Sequence, residues 1–259
     1  MDFVTSADGT RIAYERSGNG PAIIFVTGAF NDRTTCAPLA RHLENDYTVV
    51  TYDRRGRGDS GDTAPYAVDR EIDDIDALIA ECGGSAYLFG YSSGAILSCL
   101  AVAQGSAVTR LALYEPPYPP KADQRGTDLP DRLAALVAQG RRGDAVALFQ
   151  TDGIGLPPEM VAQIRQSPYW PALEAIAQTT VYDATITAPG VLDPEKLAAV
   201  RVPTVVLYGA DTWPVLRASA HTLAGALPDA YHRSLPGGAD HGIDPAVTAP
   251  AVADFLHGR

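Results

Sequence analysis

Gly90-Tyr91-Ser92-Ser93-Gly94 sets a serine between two glycines, directly after the apolar run Ala86-Tyr87-Leu88-Phe89 and directly before Ala95-Ile96-Leu97-Ser98-Cys99-Leu100-Ala101-Val102. The first run reads as a strand and the second as a helix. Strand, G-x-S-x-G, helix is the context in which a serine is held on a sharp turn with its hydroxyl exposed as a nucleophile. Ser92 is the central serine. The glycines fit because the elbow residue takes a strained backbone conformation, and side chains beside it would collide with the strand or the helix. An inert tight turn is the competing reading, and the rest of the chain decides between them.

On the N-terminal side of the elbow the chain alternates strands and helices. Phe3–Thr5 and Arg11–Glu15 flank Ala7-Asp8-Gly9, a hairpin signal. Ala22-Ile23-Ile24-Phe25-Val26 is apolar throughout, as expected of a strand buried on both faces of a parallel sheet. A helix over Ala37–Leu43 and a strand over Tyr47–Tyr52 complete a βαβ unit. Asp69–Glu81 places Ile72, Ile75, Leu78 and Ile79 at helical spacing between acids, which gives one packed and one wetted face.

Beyond the elbow, Leu111-Ala112-Leu113-Tyr114 reads as another buried strand, and then the strand rhythm stops. Residues 118–200 are helical in pattern and punctuated by proline, with pieces at 129–139, 145–149, 160–165 and 171–177. They read as an inserted helical cap. Strands resume at Pro203–Tyr208 and Tyr231–Leu235, with helices near Leu216–Leu227 and Ala246–Leu256. The expectation is an α/β chain: a core of residues 1–117 and 201–259 around a mostly parallel sheet with helices on both faces, and a cap of residues 118–200.

Composition narrows the function classes. The 259 residues carry a formal net charge of −11, against the basic surface that nucleic acid or an anionic membrane needs. A small-molecule substrate is expected instead. Cys36, Cys82 and Cys99 are an odd number, widely spaced and without C-x-x-C, so neither a disulfide framework nor a metal site is indicated. Both Cys36 and Cys99 read as core fillers. The start Met1-Asp2-Phe3-Val4-Thr5 lacks a basic and apolar leader, and no run of about 18 apolar residues follows. A cytoplasmic location is expected.

In a sheet of this kind ligands bind beyond the carboxyl ends of the strands. The residues there are Gly28 and Ala29, Asp53, Ser92 and Ser93, Glu115, Asp211, and Gly237-Gly238-Ala239-Asp240-His241. A serine hydroxyl needs an imidazole to take its proton, and the imidazole needs a carboxylate to hold its tautomer. Of the five histidines, His42 and His221 fall in helices, His232 in a strand and His257 in the C-terminal tail. His241 alone lies in a loop after a strand.

These residues resemble the α/β-hydrolase superfamily, through the elbow, Tyr52-Asp53-Arg54-Arg55-Gly56-Arg57-Gly58-Asp59-Ser60, Leu207-Tyr208-Gly209-Ala210-Asp211 and Asp240-His241-Gly242. The resemblance covers nearly the whole chain. It implies an eight-stranded sheet, a serine triad, and an oxyanion hole made by the amide of Ser93 and one from Thr27-Gly28-Ala29, carried to Ala29 with Phe30 as its neighbour. Thr27 stands where the family usually has histidine. For the acid, many members place an aspartate three residues after the glycine ending the seventh strand, whereas Asp211 stands two after Gly209; others place it after the sixth strand, where Glu115 lies. Asp211 is the first choice, Glu115 the alternative, and Asp183 follows both. Phe30 and Trp213 are candidate substrate contacts, as are Tyr118, Tyr169, Trp170 and Tyr182 of the cap unless they form its core. The arginines Arg54, Arg55 and Arg57 are expected to pair with Asp53, Asp59 or the acidic helix. The expected activity is cofactor-independent hydrolysis of an ester, thioester or lactone of a small, largely apolar substrate; carbon–carbon hydrolysis, perhydrolysis and a non-hydrolytic use of the fold stay open.

Overall fold

The Asp8-Gly9 turn joins β1 (Asp2–Thr5) to β2 (Arg11–Ser17), and the hairpin lies at one edge of the sheet with Phe3 opposite Ala13. In the computed structural model residues 1–120 and 126–258 are described; 121–125, within the expected insertion, and 259 lie outside them. The fully apolar run forms β3 (Ala22–Val26), every residue of it buried. A βαβ unit follows through α1 (Ala37–Leu43) to β4 (Thr48–Tyr52). Next come α2 (Val68–Glu81), β5 (Ala86–Tyr91), α3 (Ser93–Ala103) and β6 (Val108–Tyr114).

Between β6 and β7 the described residues form α4 (Leu129–Ala138), α5 (Arg142–Leu148), a π-helical turn (Phe149–Ile154), α6 (Pro158–Arg165), α7 (Trp170–Ala175), α8 (Thr179–Ile186) and α9 (Pro194–Ala199). The chain returns to the sheet with β7 (Thr204–Gly209), α10 (Pro214–Ala226), β8 (Ala230–Leu235) and α11 (Pro245–Leu256). Among the described residues the strands form one eight-stranded sheet in the order β1-β2-β4-β3-β5-β6-β7-β8, antiparallel at the β1-β2 and β2-β4 pairs and parallel elsewhere.

Burial explains the layers. Ile24, Leu88, Leu111 and Val206 point to one face, against Ile75 and Leu78 of α2, Leu97 and Leu100 of α3, and Leu223 of α10. Phe25, Phe89, Ala112 and Val205 point to the other, against Leu39 of α1 and Val252 of α11. This is the period-two alternation of a strand with both faces covered. Ile186, Leu192, Leu197 and Val200 join the first of these cores, so the last part of the insertion packs with the sheet rather than above it. Helix α8, which the sequence reading leaves undivided within the cap, meets the start of α3 through Asp183.

Candidate active site

Five non-glycine residues of the described chain have a left-handed φ: Phe30 (60°), Ser92 (57°), Glu115 (49°), Asp240 (53°) and His241 (65°). Each lies just past the carboxyl end of a strand. Such conformations cost on the order of 1–3 kcal/mol apiece and persist where the surroundings over-determine them, typically at functional sites. The elbow shows how. A Cβ on Gly94 would stand 2.1 Å from the Val26 carbonyl oxygen and one on Gly90 2.6 Å from the Cα of Ala95, so the start of α3 sits hard against β3 and β5 only because both positions are glycine. Ser92, with φ 57° and ψ −128°, takes up the change of direction between them.

The carboxylate the structure brings to His241 is Glu115, and this corrects the preference for Asp211. Glu115 Oε2 lies 2.5 Å from His241 Nδ1, while its Oε1 accepts from the Gly209 amide at 2.9 Å. Glu115 is fully buried and His241 partly so. Asp211 is exposed, on a turn whose backbone bonds to Gly237. Nor is Asp183 on the histidine: buried in α8, it accepts from Arg54 (2.8 Å), Arg57 (2.6 Å) and the Ser93 hydroxyl (2.6 Å).

Two tyrosines that the sequence reading missed hold the histidine loop. Tyr91 donates to the His241 carbonyl (2.7 Å) and Tyr114 to the Gly242 carbonyl (2.8 Å). Each directly precedes a site residue, Ser92 and Glu115. That adjacency was visible, but a strand-end tyrosine alone does not say which loop it will reach. The Trp213 and His241 rings stack at 6.0 Å, with the indole N–H near Asp240.

Ala29 and Phe30 are half-buried at the end of β3. Among the described residues no backbone acceptor takes the Ala29 amide, and Ser93, as first residue of α3, has an amide without an intrahelical partner. Phe30 meets Phe149 edge to face at 5.6 Å, and with Ala29 it packs against Leu133, Ala145 and Ala184 of the insertion. The other cap aromatics do not gather here. Tyr169 is 75% exposed, Trp170 is buried with Val146 and Ala177, Tyr182 stacks on Tyr66, and Tyr118 packs on the main core.

The arginine run pairs with the acidic helix, as expected, and also with the insertion, which was not expected. Arg54 clasps Glu71 through two bonds of 2.6 and 2.7 Å, and Arg55 clasps Asp74 at 2.7 and 2.8 Å. Asp53 and Asp59 instead meet Arg33. Burial pushes the Cys36 and Cys99 thiols up to about 12, which suits core fillers. No metal-binding group of three or more ligands occurs among the described residues, and none of their helices is long and apolar enough to cross a membrane.

Comparison with known proteins agrees with this fold. Residues 23–255 match the model of the alpha/beta hydrolase family. An alpha/beta hydrolase from Sphaerobacter thermophilus DSM 20745 superimposes with a TM-score of 0.90 at 46% identity, covering 98% of this chain and all of that one. The uncharacterized hydrolase YraK of Bacillus subtilis is 42% identical over 93 residues, which is 34% of this chain and only 34% of that protein's length. A non-heme haloperoxidase of Rhodococcus erythropolis is 26% identical across 99% of this chain and 98% of its own. Matched along nine-tenths of its length and paired nearly end to end with a structure of close sequence, this chain belongs to the alpha/beta hydrolase family.

Proposed function

We propose that the protein is a serine hydrolase acting on an ester, thioester or lactone of a small, largely apolar acyl compound, with Ser92, His241 and Glu115 as its triad. The observation that carries this reading is the buried Glu115 carboxylate on His241 Nδ1, beside a serine held at a left-handed φ between strand and helix. With Nδ1–H given to the carboxylate, Nε2 is left as the acceptor for a proton. Ser92 Oγ then attacks the acyl carbon as His241 takes its proton, and the amides of Ser93 and Ala29 receive the charge that develops on the carbonyl oxygen. His241 passes the proton to the leaving group. A water molecule, deprotonated by His241, cleaves the acyl–Ser92 bond and restores the serine. The apolar contact of Phe30 with Phe149 and Leu133 beside Ala29 supports an apolar acyl group.

The test is labelling by a fluorophosphonate with mass-spectrometric mapping, alongside hydrolysis of a short-chain p-nitrophenyl ester. Ser92 should carry the label, and Ser92→Ala should abolish turnover while Ser93→Ala, which keeps its amide, loses far less. Label on another residue, or full turnover in Ser92→Ala, rejects the reading. A second reading, in which hydrogen peroxide replaces water at the acyl-enzyme and releases a peracid, is favoured by the nearly full-length likeness to the haloperoxidase. Peracid formed from acetate and hydrogen peroxide by the wild type but not by Ser92→Ala would establish it.

A further inference from the structure

Three successive carbonyls of the loop after β3 are each held by a side chain. Arg54 Nη1 donates to Thr27 O at 3.2 Å, Arg57 Nη1 donates to Gly28 O, and Asn31 Nδ2 donates to Ala29 O at 2.7 Å. A trans peptide is planar, with its C=O and N–H pointing in opposite directions. Fixing the Gly28 carbonyl toward Arg57 therefore fixes the Ala29 N–H away from it. The loop runs close to the serine, since a Cβ on Gly28 would stand 3.2 Å from Ser92 Oγ.

Both arginines end on one carboxylate from the insertion. Asp183 of α8 takes Arg54 on Oδ1 and Arg57 on Oδ2, and its Oδ1 also takes the hydroxyl of Ser93, the residue whose amide is the other available donor. Arg54, Arg57, Glu71 and Asp183 are all at most 2% exposed, two charges of each sign. Burial alone would raise the Asp183 carboxyl; Arg57, Arg54 and the Ser93 hydroxyl outweigh that and hold it below its usual value. Burial and the neighbouring Arg54 lower the Arg57 pKa, against the pull of Asp183 and Glu71. Its Nε finds no partner among the described residues, and its two bonds go to Asp183 and to the Gly28 carbonyl. A tether between the insertion and helix α2 is already complete with Arg54, which reaches both Glu71 and Asp183. What Arg57 adds is the grip on Gly28.

From this we infer that Arg57 is a positioning residue for the oxyanion hole, and that Asp183 of α8 makes the orientation of both hole amides depend on the insertion being seated. The inference rests on the serine-hydrolase reading. A group misplaced by a fraction of an ångström already weakens transition-state stabilisation, while the ground state is bound largely elsewhere.

The test measures Arg57→Lys, which keeps the buried charge but replaces the two nitrogens that separately hold Gly28 O and Asp183 with one, with a thermal melt to establish folding. A trifluoromethyl ketone reports on the hole directly. Ser92 Oγ adds to its carbonyl carbon, the C=O π bond becomes an oxyanion, and the serine proton moves to His241. In Arg57→Lys, kcat for the p-nitrophenyl ester should fall about tenfold or more, less than the 10²–10³ lost with a whole donor. KM should change less than about threefold. Affinity for the trifluoromethyl ketone should fall in parallel with kcat, while affinity for the matching alcohol stays level. A folded Arg57→Lys with unchanged kcat, or a loss confined to KM, overturns the inference. Should that variant fail to fold, Ser93→Ala breaks only the link to Asp183, and it should show the same signature at about threefold in kcat; no change overturns the inference as well. A wild-type protein that forms no adduct at Ser92 overturns the hydrolase reading and this inference together, whereas an active wild type with unimpaired variants overturns this inference alone.

Discussion

Strands β6 and β7 run side by side in register from Leu111 opposite Thr204 to Tyr114 opposite Leu207, and each is followed by a carboxylate, yet the two carboxylates have different fates. Past Tyr114 the chain stays on the ladder for one more bond, Glu115 N–H to Leu207 O at 2.9 Å, and then turns through a left-handed φ of 49°. That turn folds the Glu115 side chain inward beneath the histidine loop. Past Gly209 the chain enters a turn closed by Thr212 N–H on Gly209 O, and Asp211 at its tip faces water. The two ends carry the same charge and differ in where the backbone takes it: Glu115 directly follows its strand at a left-handed φ, while Asp211 lies two residues past its own. A carboxylate becomes a partner for imidazole only where the backbone aims it and something else holds its second oxygen, here the Gly209 amide.

The largest expected effect breaks that contrast outright. In Glu115→Gln the amide oxygen can still accept from Gly209, but its NH₂ presents a donor to Nδ1 and favours the tautomer with the proton on Nε2, where a lone pair is needed. Turnover of the p-nitrophenyl ester should fall on the order of 10²- to 10⁴-fold, while Asp211→Asn should lose less than about threefold. The reverse order would transfer the role to the β7 end. A smaller effect sharpens the contrast at its hinge. Tyr114→Phe removes the bond to Gly242 O and should cost about 0.5–1.5 kcal/mol in denaturant unfolding, with a modest fall in kcat because the histidine loop loses one of its two tyrosine anchors. An unaltered midpoint would show that Tyr91 suffices.

The smallest effect lies on the outer side of β7, away from the site. His221 of α10 stacks on His232 of β8 at 4.0 Å, and its Nε2 lies 3.0 Å from the Tyr208 hydroxyl. Burial, His232 and Arg217 all lower its pKa below the ordinary 6.5. The unfolded chain therefore takes up this proton first as the pH falls, so the contribution to stability is present above 6.5 and is lost as the pH drops through the folded value. NMR titration should place His221 below 6.5, and His221→Gln should flatten a slight drop in melting temperature over that range. A His221 that titrates above 6.5 would contradict this.

Much of the site was legible because its residues occupy strand ends, and strand ends announce themselves. Ser92 is marked by glycines needed for close approach, and His241 by its loop after the last strand. The arginine run was legible in half. Its match to Glu71 and Asp74 is a match to the nearest acidic helix, whereas Asp183 lies 126 residues beyond Arg57 in the insertion, whose short helices carry no periodic signal long enough to show which face they turn to the sheet.

The sequence by itself determined the alternation of strands and helices, the long interruption after β6, the strand-to-helix turn at Ser92 and the loop after the last strand that carries His241, because these rest on local periodicity and on steric demands within a few residues. Only the tertiary structure decided that Glu115 rather than Asp211 reaches the histidine, that Tyr91 and Tyr114 hold its loop, and that Asp183 joins the insertion to Arg57 and Ser93. Each is a contact across 90 residues or more, and its geometry depends on backbone turns and layer packing that no short window of residues records.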